Sequence, residues 1–160
     1  MDNDLSLRKH LLELLRGGSA HTKPQQVLTG WPARLRGVRL SGLPYTPWQL
    51  LEHLRIAQWD ILEFSRNAGH VSPDFPDGYW PDTAAPPTQA AWGNSVRQFQ
   101  SDLKEMEKLV EDPATDLFDQ IPHGHGQTIL REALLVADHN AYHLGELVVM
   151  RRLMGVWQSD

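Results

Sequence analysis

Four long segments of the chain repeat apolar residues with the period of an α-helix, and this pattern limits the possible folds more than any other feature. The predicted helices cover about residues 4–16, 46–67, 88–111 and 128–154. Apolar residues three and four positions apart place one face of each helix in a core. No alternating strand pattern or hairpin turn competes with them. The sequence therefore predicts an all-α protein, a four-helix bundle.

Residues typical of helix ends support these boundaries. Thr46 is a good N-cap, Pro47 suits the first helical position, and Gln49 completes a capping box. Thr88 and Thr128 are the expected starts of the third and fourth helices. The apolar positions expected to face the core are Leu7, Leu11, Leu14 and Leu15; Leu50, Leu54, Ala57 and Ile61; Trp92, Val96, Phe99, Leu103, Met106 and Val110; and Leu134, Ala137, Ala141, Leu144 and Val148.

Long loops follow the first and the second predicted helix. Residues 17–45 and 69–87 are far longer than the roughly 2–8 residues that usually join helices in bundles. In the first loop, residues 24–29 could form a short helix. The second loop contains five prolines, with Phe75, Tyr79 and Trp80 interleaved among them. Its aromatic content favours a packed lid over a flexible linker.

Composition excludes several classes of protein. The chain has 160 residues, which fits a single domain over 1–160, and it has no cysteine, which excludes disulfides, thiolate metal sites and cysteine nucleophiles. A formal charge of -5 argues against a nucleic-acid partner. No apolar run reaches the roughly 18–20 residues of a membrane span, and the N-terminus has no apolar signal core. These features predict a cytoplasmic protein.

The fourth predicted helix carries ligand-capable side chains along one stripe. His139 and His143 lie one turn apart, so that both imidazoles can reach one metal ion. Glu146 falls between them in angle, and Glu132 lies one repeat of the face earlier. A zinc protease would need Glu directly after the first histidine, where this chain has Asn140.

The second predicted helix places His53 on its apolar stripe. Alone, such a histidine is more often a hydrogen-bonded core residue than a metal ligand, and His139 and His143 alone could be an exposed pair. Together, three neutral imidazoles form a divalent metal site of the catalytic type. Imidazole suits zinc, nickel, iron or copper. Carboxylates such as those of Glu132 and Glu146 commonly orient ligating imidazoles.

Three stretches of the chain resemble the DinB-like superfamily. They are the entry Trp48-Gln-Leu-Leu-Glu before His53, the run Asp138-His139-Asn-Ala-Tyr-His143-Leu-Gly-Glu146, and the closing Arg151-Arg-Leu-Met-Gly155. The resemblance covers nearly the whole chain. It implies a four-helix bundle with a divalent metal held by His53, His139 and His143. It also implies a homodimer. The activity that it implies is thiol-dependent transfer or isomerisation, in which a low-molecular-weight thiol takes part.

One departure from this family concerns Glu146, because the family often has glutamine at this position. A carboxylate there could be a fourth ligand, a base, or a hydrogen-bond partner of a ligand. Arg151 and Arg152 are candidates for a dimer interface. Among the other histidines, His10 is expected to make a core hydrogen bond, and His123 and His125 are expected to lie in a solvated turn. His21 and His70 lie in loops and carry no signal.

The leading hypothesis is a metal-dependent enzyme that acts on a small molecule, by thiol-dependent transfer or isomerisation or by hydrolysis. Zinc or nickel is the expected metal, a cosubstrate would supply the thiol, and Glu146 or Glu132 would accept a proton or orient a ligand. The alternative is a non-catalytic, metal-stabilised bundle that binds a small molecule or a partner. A third reading is a metal-free dimerisation bundle with a buried histidine network.

Overall fold

A computed structural model describes residues 3–157, and the ends of the predicted domain 1–160, residues 1–2 and 158–160, lie outside this range. Its helices are α1 Asn3–Arg16, α2 Pro24–Leu28, α3 Pro47–Arg66, α4 Ala91–Glu111 and α5 Ile129–Leu153. Short 3-10 turns lie at Ala33–Leu35 and Asp77–Tyr79. Residues 3–157 contain no β-strand, and none of their helices combines the length and apolarity needed to cross a membrane.

The four long helices form the predicted bundle. Helices α1 and α3 each pack against both α4 and α5. Helices α1 and α3 therefore lie on opposite sides of the α4–α5 pair. The all-α prediction is therefore confirmed. The long loops are confirmed as well, and the first of them contains the short helix α2.

Two of the three helix starts that the capping residues predict are confirmed. The capping box of α3 is present, with the Gln49 N–H donating to Thr46 Oγ1 at 3.2 Å. Thr128 caps α5 by accepting from the Arg131 N–H at 3.2 Å. The predicted start at Thr88 is wrong, because α4 begins at Ala91. Thr88 lies in a preceding turn, and its carbonyl accepts from the Ala91 N–H.

Most of the predicted core positions are buried and several are half-buried, but two leucines are exposed. The exposed fraction is 57 % for Leu14 and 45 % for Leu134. In α1, Leu12 is buried instead of Leu14. In α5 apolar residues occur on more than one side, so their spacing did not decide which side faces the core. The most deeply buried apolar residues of α5 are Ala133, Val136, Leu144, Leu147 and Met150.

A cluster of three tryptophans fastens the long loops to the bundle. The ring of Trp92 in α4 lies 5.5 Å from Trp31 and 6.5 Å from Trp48, measured between ring centroids. Each indole N–H has a partner: Trp31 donates to the Val27 carbonyl at 2.9 Å, Trp92 to the Leu28 carbonyl at 3.0 Å, and Trp48 to the Thr83 hydroxyl at 3.2 Å. These contacts therefore anchor both long loops to the bundle.

A buried amide pair connects three helices. The Asn140 side chain of α5 donates to Gln58 Oε1 of α3 at 2.8 Å, and Gln58 Nε2 donates to the Phe99 carbonyl of α4 at 2.6 Å. Gln58 is 1 % exposed and Asn140 is 4 % exposed. Because Asn140 follows His139 directly, this pair fixes the rotation of α5 where the histidines lie.

We predict that Gln58 and Asn140 are energetically coupled. Asn140→Leu leaves the buried Gln58 oxygen without a donor and costs about 1–3 kcal/mol, the penalty typical of an unsatisfied buried group. The double variant Gln58→Leu/Asn140→Leu loses less stability than the sum of the single variants, with a coupling of about 0.5–3 kcal/mol. Urea unfolding followed by circular dichroism measures all four proteins. Strict additivity of the two losses would contradict the prediction.

Candidate metal centre

The three predicted ligands converge between α3 and α5. His53 comes from α3, and His139 and His143 come from consecutive turns of α5. One ligand atom from each lies within 4.8 Å of the others, and all three side chains are half-buried. His139 Nε2 and His53 Nε2 are 3.1 Å apart. In the part of the chain that the structure describes, these histidines form the one such group of potential metal ligands.

Hydrogen bonds orient two of the rings. His53 Nδ1 lies 3.1 Å from the Tyr79 carbonyl, and His143 Nδ1 lies 2.6 Å from a Glu146 carboxylate oxygen. An imidazole that donates through Nδ1 keeps a lone pair on Nε2. His139 Nδ1 is buried and has no hydrogen-bond partner among residues 3–157. A carboxylate or a carbonyl on the far side of a ligating imidazole is typical of metal sites, and this donor set fits a divalent transition metal.

Burial keeps His53 and His139 in the form that binds metals. It lowers the pKa of His139 from its ordinary 6.5 to about 3, with a further lowering from His143 and His53. Burial also lowers the pKa of His53, although the hydrogen bond to the Tyr79 carbonyl opposes this effect. Both side chains are therefore neutral near pH 7. A metal ion at this site would not have to displace a proton from either of them.

An aromatic wall closes one side of the cluster. Trp80 stacks on His53 at 4.0 Å between centroids with an interplanar angle of 3°, and Tyr45 stacks on Trp80 at 5.4 Å. The Tyr45 hydroxyl donates to Glu146. Burial and this contact raise the pKa of Tyr45, so it remains a donor at neutral pH. Glu146 thus holds both His143 and the wall.

Asp60 fastens the second long loop next to His53. One of its carboxylate oxygens accepts from His70 Nε2 and the other from the Tyr79 hydroxyl, each at 2.7 Å. Burial and the Asp60 contact raise the pKa of Tyr79 to about 12. Because the Tyr79 carbonyl faces His53, Asp60 supports the ligand through the loop. Sequence reasoning noted the aromatic residues of this loop but assigned no signal to His70 and did not single out Asp60.

The lid prediction is confirmed only in part. Tyr79 and Trp80 pack against α3, as the aromatic content of the loop suggested. Phe75 does not, since its side chain is 88 % exposed. Its ring contacts Tyr79 at the outer surface, 6.1 Å between centroids. The packed part of the lid is therefore the part that contacts His53.

The two predicted carboxylates have different surroundings. Glu146 contacts His143 directly, as described above. Glu132 lies two turns before His139, is 2 % exposed, and pairs with Arg131 at 2.7 Å. The structure therefore places Glu146 at the histidine cluster. Glu132 instead pairs with Arg131. The catalytic roles of both residues remain predictions.

Three other expectations are wrong. His10 is exposed and makes no core hydrogen bond. His123 is half-buried instead of fully solvated, because its ring packs on Phe64 and its Nε2 donates to the Phe64 carbonyl at 2.6 Å. Arg151 is 7 % exposed and donates to backbone carbonyls inside the protein, so it is not free for a dimer interface. His125 is exposed, as expected.

The fold and the site together define an all-helical protein with a three-histidine group that can hold a metal ion. A family model described as the DinB superfamily matches residues 9–147, which is most of the chain. The chain therefore belongs to the DinB superfamily. Comparison with curated proteins and with solved structures gives no significant match.

We predict that the metal-free protein loses stability in acid because of His139. Its pKa is about 3 in the folded protein and 6.5 ordinarily, so the unfolded chain binds a proton that the folded protein does not. Stability therefore falls as the pH drops below about 6.5, by up to about 1.4 kcal/mol per pH unit, and this contribution levels off near pH 3. Urea unfolding with chelator present, compared between wild type and His139→Gln, measures the effect. His10→Gln is the exposed control, and an identical slope in His139→Gln would contradict the prediction.

We predict that Tyr79→Phe weakens metal binding without unfolding the protein. The variant removes the hydroxyl that Asp60 holds and so loosens the carbonyl that orients His53. A loss of about 10–100-fold in metal affinity is typical when such supporting groups are removed. Competition with a chromophoric chelator measures the affinity. Tyr142→Phe is the matched control, because Tyr142 is 67 % exposed and contacts His143 through its ring.

Proposed function

We propose that this protein is a metal-dependent enzyme whose divalent ion is held by His53, His139 and His143. The observation that carries the proposal is the cluster of three half-buried imidazoles with one ligand atom from each within 4.8 Å of the others. Histidine nitrogen favours zinc or nickel over magnesium or calcium. Such an ion acts as a Lewis acid and lowers the pKa of a water molecule or a thiol that it binds.

The nucleophile is proposed to come from outside the chain. The protein has no cysteine, so a thiol-dependent reaction requires a low-molecular-weight thiol as cosubstrate. Thiol-dependent transfer or isomerisation is favoured over hydrolysis by the resemblance to the DinB-like superfamily. The residues themselves suit either reaction on a small molecule.

Glu146 is the proposed proton acceptor. Its side chain is 28 % exposed, so water or a small molecule can reach it beside the cluster. It accepts hydrogen bonds from His143 and from Tyr45, and these two contacts fix the position of its carboxylate. Glu132 is the second candidate for a proton acceptor or an orienting group. It is almost completely buried and pairs with Arg131, so a small molecule can reach it less easily than Glu146.

The main alternative is a non-catalytic bundle in which the ion stabilises the fold or a binding site. The packing around the cluster favours it: Trp80 covers one face of His53, and the His143 side chain is 12 % exposed. A structural ion has a closed set of ligands, whereas a catalytic one keeps a position open. A metal-free dimerisation bundle with a buried histidine network is the third candidate.

The proposed partners follow the same reasoning. A small-molecule substrate is favoured over nucleic acid because of the net charge of -5. A homodimer is implied by the resemblance to the family. It is also supported by the apolar residues Tyr142, Val149 and Leu153, which share one exposed side of α5. The proposed location is the cytoplasm, as expected from the sequence.

Metal content measured by mass spectrometry tests the proposal directly. We expect about one zinc or nickel ion per chain in tag-free wild-type protein, and its loss in both His53→Ala and His143→Ala. His10→Ala is the matched control, because this exposed histidine lies outside the cluster. Wild-type protein that takes up no metal after reconstitution would refute the metalloenzyme and favour the metal-free bundle.

Catalysis is tested on the metal-loaded protein. A screen of thiol-dependent transfer and of hydrolysis on small substrates should give turnover in wild type. Glu146→Gln should retain the metal and lose activity if the carboxylate accepts a proton. Full activity in Glu146→Gln would contradict that role. A stoichiometric metal together with no turnover in either screen would favour the non-catalytic bundle.

A further inference from the structure

A groove of about 960 Å³ opens at the C-terminal end of α5, against the segment that joins α1 to α2. We call it the C-terminal groove and define it by Lys23, Gly30, Arg151, Arg152 and Trp157. None of its fifteen lining residues is acidic, while three are lysine or arginine. In a chain of net charge -5, this groove has the opposite charge from the protein as a whole.

A buried cation forms part of the groove wall. Arg151 Nη1 donates to three backbone carbonyls, and the guanidinium lies between the rings of Trp31 and Trp157 at 5.3 and 5.5 Å. Within residues 3–157 no carboxylate pairs with Arg151, although buried charges are normally paired. Burial lowers its pKa, yet a guanidinium remains charged at neutral pH. Among residues 3–157 its positive charge is thus compensated by carbonyl dipoles and by the two indole rings, without a carboxylate.

Arg151 also has hydrogen-bonding capacity to spare. Nη2 carries two hydrogens, and in the described part of the chain it makes one bond, to the Val156 carbonyl at 3.3 Å. The same nitrogen lies 3.7 Å from the position that a Cβ would take at Gly30. The absence of a side chain at Gly30 leaves this nitrogen uncovered on that side. An N–H group held rigidly in this way is a good donor to an anionic oxygen.

Two further cations with long, exposed side chains line the groove together with Arg151. Lys23 and Arg152 are exposed, and neither forms an ion pair with any residue in the range 3–157. The Arg152 guanidinium lies 5.9 Å from the centre of the Trp157 ring. Lys23 comes from the α1–α2 segment and Arg152 from α5, so they approach the groove from two different elements. This arrangement of charges can enclose an anionic group.

We propose that the C-terminal groove binds an organic phosphate, a small molecule that carries one or more phosphate groups. Arg151 supplies a fixed donor at the wall, and Lys23 and Arg152 supply charges that close on the phosphate oxygens. The site is separate from the metal centre, since Arg151 follows His143 by eight residues, or about 12 Å along the helix. The proposal does not depend on the proposed metal chemistry.

Isothermal titration calorimetry tests the groove, with pyrophosphate and ADP as probes and adenosine as the uncharged control. Chelator-treated protein is used, so that a metal ion cannot bind the probe. We expect ADP and pyrophosphate to bind and adenosine not to bind. The double variant Lys23→Gln/Arg152→Gln should weaken binding by about tenfold or more, because two charge-assisted contacts are lost. Higher salt should weaken binding in wild type.

Matched variants separate the groove from other sites. Lys104→Gln removes an exposed lysine of α4 outside the groove and should leave the affinity unchanged. His143→Ala should also leave it unchanged. Absence of binding in wild type overturns the proposal, and so does equal affinity in wild type and in the Lys23/Arg152 double variant. Binding that is lost in His143→Ala but kept in the double variant would place the phosphate at the metal centre and overturn it as well.

Discussion

The buried hydrogen bond between Gln58 and Asn140 sets the geometry on which the metal centre depends. It joins α3 to α5, and the second contact of Gln58 extends it to the Phe99 carbonyl of α4. A shift of one residue along α5 would rotate its side chains by about 100° and turn the neighbouring His139 away from His53. Apolar packing alone does not select this rotation, because α5 has apolar residues on more than one side. A specific polar contact inside the core does select it.

The long loops complete what the helices begin. The second contributes Trp80, which covers one face of His53, and the first contributes Tyr45, which stacks on Trp80. Asp60 holds the second loop at both His70 and Tyr79, so this wall has a fixed position relative to α3. Burial beside this wall lowers the pKa of His53 and of His139 and keeps these two imidazoles neutral near pH 7. Packing and ligand chemistry therefore have one cause at this site.

The chain belongs to the DinB superfamily, carries a three-histidine group that can hold a metal ion, and has no cysteine. The metal centre and the C-terminal groove differ in the charge of their side chains. The cluster carries imidazoles with a carboxylate beside them, whereas the described lining of the C-terminal groove carries cations without carboxylates. Two sites of such different charge would select different ligands.

The sequence by itself determined the bundle, most helix ends and the three histidines. Helical period and a cap such as Thr46 depend on residues within one or two turns of each other, and their spacing is visible in the chain. Tertiary structure alone decided the exposure of Leu14 and Leu134, the late start of α4, the Asp60 contacts and the burial of Arg151. Each of these depends on which distant segment packs against the residue. Local spacing carries no information about that packing, because the free energy of such contacts arises only when the helices and loops assemble.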